Sequence, residues 1–326
     1  MKAIVVNEPG PPEVLRAEEV DLPSPGPNEV LVKVAVAGVN FADVGMRAGM
    51  MGGPHAMDLP YTPGFEVAGT VAAFGEGVEG IPEGTRVAAV LPSGGYAEYA
   101  VAAADSVVRL PEAVGFADAS ALLVQGLTAY GVLHDSGRVR EGEGVLVMAA
   151  GGGVGTLAVQ LAKLAGAHPV VGAAGSREKL DLALSVGADH AVDYTKDGWA
   201  GEVLGATGGR GANVILECVG GAVGAGAYDC LAPLGRLVTF GAAGGEGLRP
   251  PDMWQLNLKG QTVGGYGGPW LRPGAAKTAR EAISEHLQNG GLRVVRGASF
   301  PLAEASEAHR AIEGRRTTGK VLLTVE

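Results

Sequence analysis

The 326-residue chain is poor in the residue types that staple a fold or bind metal. It has two cysteines, Cys218 and Cys230, in no CxxC pair. A disulfide framework is therefore excluded, and a reduced, cytoplasmic setting is expected. The six histidines (His55, His134, His168, His190, His286, His309) show neither HxxxH nor HExxH spacing, which argues against a metal site built from Cys and His. Cations are outnumbered, with 25 Lys+Arg against 35 Asp+Glu, a net charge of −10 and a pI near 5.2. A general nucleic-acid or anionic-membrane surface is not expected, although one local cationic pocket is compatible with this balance. The opening apolar run ends at Asn7, Glu8 and Pro9 and is too short for a signal peptide. A long uncharged stretch, residues 144–161, contains Gly151, Gly152, Gly153 and Gly155 and reads poorly as a membrane span.

What the chain has in excess is glycine: 55 residues, about 17% against a usual share of roughly 7%. No G-X-Y period exists, so collagen is excluded. With 47% hydrophobic residues and a mean hydropathy of +0.20, general disorder is excluded too. Aromatics make up only 5%, so many glycines with few rings point to tight turns and to backbone brought close to a ligand.

The first 120 or so residues read as β-rich. Residues 2–6 form a short apolar strand. Along 29–39, Val30, Val32, Val34 and Val36 share one face, and Leu31, Lys33 and Ala35 the other. Stretches 65–74 and 85–91 repeat the theme, separated by proline clusters, as in a small barrel-like domain. From residue 116 the pattern turns helical, to 134. From Val145 a β-α rhythm follows: strands at 145–148, 169–173, 191–194, 213–217, 236–240 and 261–266, with helices at 154–165, 177–186 and up to Leu231. Such alternation implies a parallel sheet covered by helices. Helices at 275–288 and 302–313 and a final strand at 320–325 close the chain.

The strand at 145–148 runs into Ala149-Ala150-Gly151-Gly152-Gly153-Val154-Gly155 and then a helix. Small residues let the backbone approach a pyrophosphate, and the helix N-terminus supplies free N–H groups and a positive dipole end. Gly152 would allow close approach, with Gly153 and Val154 beside it, and Gly155 would let helix and strand pack tightly. The first glycine of the GxGxxG pattern is Ala150 here, and a tight turn without a ligand is the competing reading. An NAD enzyme wants an acid at the end of the second strand; that region reads Ala173-Ala174-Gly175-Ser176-Arg177-Glu178-Lys179. Ser176, Arg177 and Lys179 suit a 2′-phosphate, so NADPH is expected over NADH. Ser176 also fits a helix N-cap and Lys179 a solvated helix residue.

With these motifs in place, the chain resembles the medium-chain dehydrogenase/reductase superfamily, and within it the zinc-free quinone oxidoreductase (zeta-crystallin-like) branch. The matching residues span nearly the whole chain: Gly38-Val39-Asn40-Phe41-Ala42-Asp43 with Arg47 and Gly49, Pro63-Gly64-Phe65-Glu66, Gly84-Thr85-Arg86-Val87, Gly94-Gly95-Tyr96-Ala97-Glu98-Tyr99, Gly126-Leu127-Thr128-Ala129-Tyr130, the glycine turn, Gly187-Ala188-Asp189, and Thr318-Gly319-Lys320-Val321. The resemblance implies an α/β protein in which a doubly wound parallel Rossmann sheet, residues 123–266, is inserted into a GroES-like β-barrel catalytic domain, residues 1–122 plus 267–326. Zinc-dependent relatives place a cysteine near Asn40 and a histidine just before Glu66. Here neither is present, nor is the four-cysteine lobe, so no catalytic zinc is expected.

The resemblance further implies NADPH-dependent hydride transfer to a quinone, a small planar conjugated carbonyl compound. An NADPH-dependent enone or alkenal double-bond reductase is the second reading, and a non-catalytic NADPH-binding structural or regulatory protein the third. Asn40 would lie by the nicotinamide and Thr128 would bind it. Lys179, Tyr194 and Arg315, with Ser176, would hold the adenosine phosphate, and Gly241 and Lys320 would also belong to the cofactor site. Simpler readings stand beside these: Asn40 as a turn cap, Thr128 bonding its own backbone, Tyr194 as an exposed strand-end aromatic, Asp43 as a helix N-terminal carboxylate or an Arg47 partner, and Arg315 as part of a solvated helix end. Cys218 reads as a small core residue and His55 as a loop histidine. No tyrosine follows the Asn40 motif before Tyr61, so the tyrosine donor of enoyl-thioester reductases is missing from its expected place. Met50, Met51 and Met57 offer an adaptable apolar wall, or ordinary packing. A homodimer through the sheet edge near 261–266 is implied as well.

Overall fold

The computed structural model describes residues 1–50 and 57–325. Met51, Gly52, Gly53 and His55 lie outside the described residues. The strands in chain order are β1 (Lys2–Val5), β2 (Arg16–Glu19), β3 (Glu29–Val39), β4 (Glu66–Phe74), β5 (Arg86–Val90), β6 (Tyr99–Ala103), β7 (Val107–Arg109), β8 (Val145–Met148), β9 (Val170–Ala174), β10 (His190–Asp193), β11 (Ala212–Glu217), β12 (Leu231–Thr239), β13 (Thr262–Gly265), β14 (Arg296–Pro301) and β15 (Lys320–Thr324). The chain divides into two compact units, residues 1–124 with 296–326, and residues 125–295.

The first unit is built on a sheet of order β14-β15-β3-β4-β5-β7, with β6 also paired to β3. All its pairs are antiparallel except β14–β15. β3 is its spine. Val30, Val32, Val34 and Val36 are buried while Lys33 is exposed, as the alternation predicts. Beyond Val36 both faces are covered, so the alternation stops. The core joins Val30, Val32 and Val34 to Val67, Val71, Val87, Tyr96 and Leu323. The last strand does return to this unit: Val321 to Thr324 of β15 pair with Val39 to Val36 of β3. Two chain segments hundreds of residues apart therefore meet at the end of β3, next to Asn40.

The second unit carries a sheet of order β10-β9-β8-β11-β12-β13 with every pair parallel. Its strands in chain order thus lie 3-2-1-4-5-6, the doubly wound arrangement, with its crevice at the carboxyl ends of β8 and β11. β8 is wholly buried, as a central parallel strand must be.

Two expectations are corrected. The second domain boundary falls at 295/296 instead of 266/267. Helix Ala275–Gln288 and the segment after it belong to the second unit, because the Gln160 side chain bonds the backbone N–H and carbonyl of Arg293 at 2.8 and 2.9 Å. The helix expected to reach Leu231 stops earlier, and β12 begins at Leu231 beside Ala212. Helices Trp199–Ala206 and Met253–Lys259 and strand β14 were not legible, the last because its burial does not alternate cleanly. One helical run, residues 116–136, is long and apolar enough by length and composition to cross a membrane, and most of it is buried inside the protein, as in a core helix.

Candidate functional site

The first unit holds a buried polar cluster at the end of β3. Asn40 is the N-cap of helix Phe41–Arg47, so it serves as the cap that the sequence allowed. Its backbone N–H donates to Asp43 Oδ2 at 2.8 Å, and its carbonyl accepts from the Asp43 N–H at 3.1 Å. The side chain, only 5% exposed, does more than cap. Asn40 Nδ2 donates to Glu66 Oε1 at 2.8 Å, and Asn40 Oδ1 accepts from Lys320 Nζ at 2.9 Å. Lys320 and Glu66 form an ion pair, 1% and 0% exposed. Glu66 Oε2 accepts the backbone N–H of Val124 at 2.8 Å. Glu66 was visible in the sequence only as part of a motif; its partnership with Lys320 was not. Lys320, expected at the cofactor, has its ammonium engaged by Glu66, Asn40 and the Val39 carbonyl.

Asp43 is fully buried and does not pair with Arg47, which bonds Glu313 instead. Its second oxygen accepts the Gly64 N–H at 3.2 Å. Burial pushes the Asp43 carboxyl up to about 7, against the opposing pull of the Asn40 N–H and the Lys320 charge. Nearby, Tyr96 Oη lies 3.1 Å from His309 Nε2, and burial presses the His309 imidazole down to about 3, so it is neutral. Tyr61, Asp43 and Met46 line a small shared cleft with Pro63, Gly64, Phe65 and Ser93.

The second unit carries the glycine turn. Helix Gly153–Leu164 starts at Gly152, and Ala149 adopts φ +51° as the chain leaves β8. A Cβ on Gly155 would lie 2.3 Å from the Ala149 carbonyl oxygen, so only glycine lets this helix pack on the strand end. Gly152, in contrast, would meet only that same oxygen, at 3.3 Å. The Gly152 N–H is itself bonded to the Ala149 carbonyl at 2.9 Å, but its surroundings leave room for something to approach the first N–H groups of the helix that follows. This is the cradle a pyrophosphate requires, so the residues fit a dinucleotide.

Ser176 caps helix Arg177–Ser185, accepting from the Lys179 N–H at 3.4 Å. The Lys179 side chain lies against Gly151, and the Tyr194 ring against Gly175. Ser176, Lys179 and Tyr194 are therefore gathered around the ends of β9 and β10, beside the glycine turn. Tyr194 is half-buried and packs on the sheet core, so the exposed-aromatic reading fails. Arg177 turns along its helix to Asp181, with Nε 3.0 Å from Oδ2, and so stands apart from this group. Gly241 lies just beyond the end of β12 and is exposed. Thr128, half-buried, sits in helix Leu127–Tyr130 of this unit, where Tyr266 Oη reaches the Leu127 carbonyl at 3.4 Å. Arg315 is exposed in the first unit, at φ +55° after helix Ala305–Glu313. Cys218 is half-buried beside the Met148 carbonyl. Glu217, at the end of β11, is buried and accepts the N–H groups of Val219 and Gly220; its position inside an apolar strand, ILE before Cys218, is the signal that marks it.

Among the described residues no group of three or more His, Cys, Asp or Glu could hold a metal ion. The neighbours of Glu66 are an amide and an ammonium group, a set that does not fit zinc.

Two family models match: the alcohol dehydrogenase GroES-like domain over residues 26–112, and the zinc-binding dehydrogenase model over residues 153–301. A quinone oxidoreductase of Pseudomonas aeruginosa is 36% identical over 321 residues, covering 96% of each chain. A 2-haloacrylate reductase of a Burkholderia species is 31% identical, covering 98% of each. The crystal structure of Escherichia coli quinone oxidoreductase complexed with NADPH superimposes with a TM-score of 0.92 at 31% identity, covering 99% of this chain and 100% of that one. The GroES-like and Rossmann folds, the glycine cradle and these full-length likenesses make the chain an oxidoreductase of the zinc-free quinone oxidoreductase branch of the medium-chain dehydrogenase/reductase superfamily.

Proposed function

We propose that the protein is an NADPH-dependent reductase that delivers hydride to a quinone without zinc. The observation that carries the cofactor choice is the gathering of Ser176, Lys179 and Tyr194 beside the glycine turn, with no carboxylate at the end of β9. A ribose 2′-hydroxyl would call for an acid there, whereas a 2′-phosphate calls for a cation and hydroxyl donors. The backbone N–H groups of Gly153, Val154 and Gly155 would hold the pyrophosphate, with Gly152, whose own N–H is bonded to the Ala149 carbonyl, giving close approach. Lys179, Ser176 and Tyr194 would hold the 2′-phosphate, with Gly241 giving close approach. When bound, NADPH supplies a hydride at its nicotinamide. The chain's part is then to orient the acceptor and to meet the oxyanion that grows on its carbonyl oxygen. Asn40 is the donor assigned to that oxyanion, and Thr128 is assigned to the nicotinamide carboxamide.

Acceptor-dependent NADPH oxidation against a panel of quinones and enones tests this. Turnover of 1,4-benzoquinone supports it. Saturated product from an enone, with no quinone turnover, replaces it with the double-bond reductase, a reading favoured by the likeness to a 2-haloacrylate reductase. NADPH binding without any turnover replaces both with a non-catalytic role.

We also propose that a second copy of the chain pairs at β13. This edge strand is hydrogen-bonded only to β12 among the described residues. Leu234, Trp254 and Leu258 are 79%, 68% and 70% exposed in the same unit. Trp254→Lys combined with Leu258→Glu should convert a dimer into a monomer by sedimentation.

A further inference from the structure

We infer that Glu66 and Lys320 are positioning residues, a buried ion pair that holds the Asn40 carboxamide in one of its two orientations so that it presents an N–H donor to the reacting carbonyl. The inference rests on the assignment of Asn40 to the oxyanion, made above.

The geometry is a closed triangle. Asn40 Nδ2 donates to Glu66 Oε1, Asn40 Oδ1 accepts from Lys320 Nζ, and the same Glu66 oxygen pairs with that ammonium group. Turning the amide over would set its NH2 against an ammonium and its oxygen against a carboxylate. Both contacts would become repulsive, so the charges fix an orientation that an uncharged pocket would leave free. A primary amide has two N–H donors, and its oxygen has two lone pairs. One of each is spent in the triangle, which leaves one N–H and one lone pair of known identity for the reaction. The backbone of Asn40 is also fixed, by Asp43 on both sides. The three side chains come from the end of β3, the start of β4 and the start of β15, so the cluster exists only where the last strand returns to β3. Gly38 makes space for it, since a Cβ there would lie 2.3 Å from Glu66 Oε1 and 2.7 Å from Glu66 Cγ.

The test compares wild type, N40A, the charge-free pair E66L/K320M, and the triple variant. The first readout needs no cofactor: hydrogen exchange of the Asn40 side-chain amide, followed by 15N NMR. It should accelerate about tenfold or more in E66L/K320M, because both partners of the amide are gone. The second readout is NADPH oxidation with 1,4-benzoquinone. kcat should fall about tenfold in N40A and in E66L/K320M alike, the triple variant should be no slower than N40A, and the KM for NADPH should stay within about twofold, since the glycine turn lies in the other unit. Unchanged exchange in E66L/K320M overturns the inference. So do losses that multiply in the triple variant, which would mean that the pair acts on something besides Asn40. Wild-type kcat in N40A sinks the oxyanion assignment itself, while faster exchange in E66L/K320M would still show that the pair orients the amide. If E66L/K320M does not fold, G38A displaces the Glu66 carboxylate with both charges retained. The same two readouts then apply, and wild-type values in both overturn the inference.

Discussion

The two units prepare their sites by opposite means. The second uses backbone: consecutive residues 149–155 turn at a strand end, and their side chains matter mainly by being small. The first uses buried side chains drawn from distant segments. Glu66 is 26 positions from Asn40, and Lys320 is 280. A backbone cradle tolerates no added atoms but carries no net charge, so it is indifferent to pH. A buried charge cluster tolerates shape changes better but depends on the protonation and pairing of each member. The two sites are thereby separable by mutation.

The largest expected effect breaks the cradle. Gly155→Val should abolish NADPH binding by fluorescence titration and lower the stability of its unit by about 2 kcal/mol through overpacking. If NADPH still binds with wild-type affinity, the turn is not the phosphate site.

Next comes the charge cluster. The Asp43 carboxyl lies at about 7 in the folded protein, above its ordinary 3.8, so the folded state keeps a proton that the unfolded chain releases between these values. Stability should therefore fall as pH rises through that window, with a contribution of up to about 4 kcal/mol. Urea unfolding from pH 4 to 8 should show this slope in wild type and lose it in Asp43→Asn. His309 runs the other way: its imidazole, pressed down to about 3, resists a proton that the unfolded chain accepts near 6.5. That loss of stability appears as pH falls below 6.5, which makes the two groups distinguishable in one titration.

Lys179→Ala sharpens the cofactor side. Loss of one charge-assisted contact, about 2 kcal/mol, should raise the KM for NADPH roughly 30-fold. The KM for NADH should barely change; equal losses for both would sink the 2′-phosphate assignment. The smallest effect belongs to Arg177→Ala. Because Arg177 is spent on an exposed i,i+4 pair with Asp181, the KM for NADPH should move by roughly twofold or less.

The two sites also differed in how far they could be read in advance. The glycine turn was legible because a phosphate cradle is a local object: a strand, a few residues without bulk and a helix, all contiguous. The same holds for β3, whose alternating valines announce the face they bury, and for Ser176, whose place before a helix marks a cap. Asp43 was legible as a helix N-terminal carboxylate but not as a buried one. Its partner is the Asn40 N–H and not Arg47, because Arg47 is taken by Glu313. Lys320 was placed at the cofactor by the resemblance alone. Its actual partner is Glu66.

By itself the sequence determined the fold class, the parallel sheet of the second unit and the glycine turn at a strand end, because each follows from periodicity or short contiguous patterns. Only the tertiary structure decided where the second domain boundary falls, which charges are buried, and that Asn40 is held between Glu66 and Lys320. These depend on β15 returning to β3, a pairing across the whole chain that no local pattern encodes.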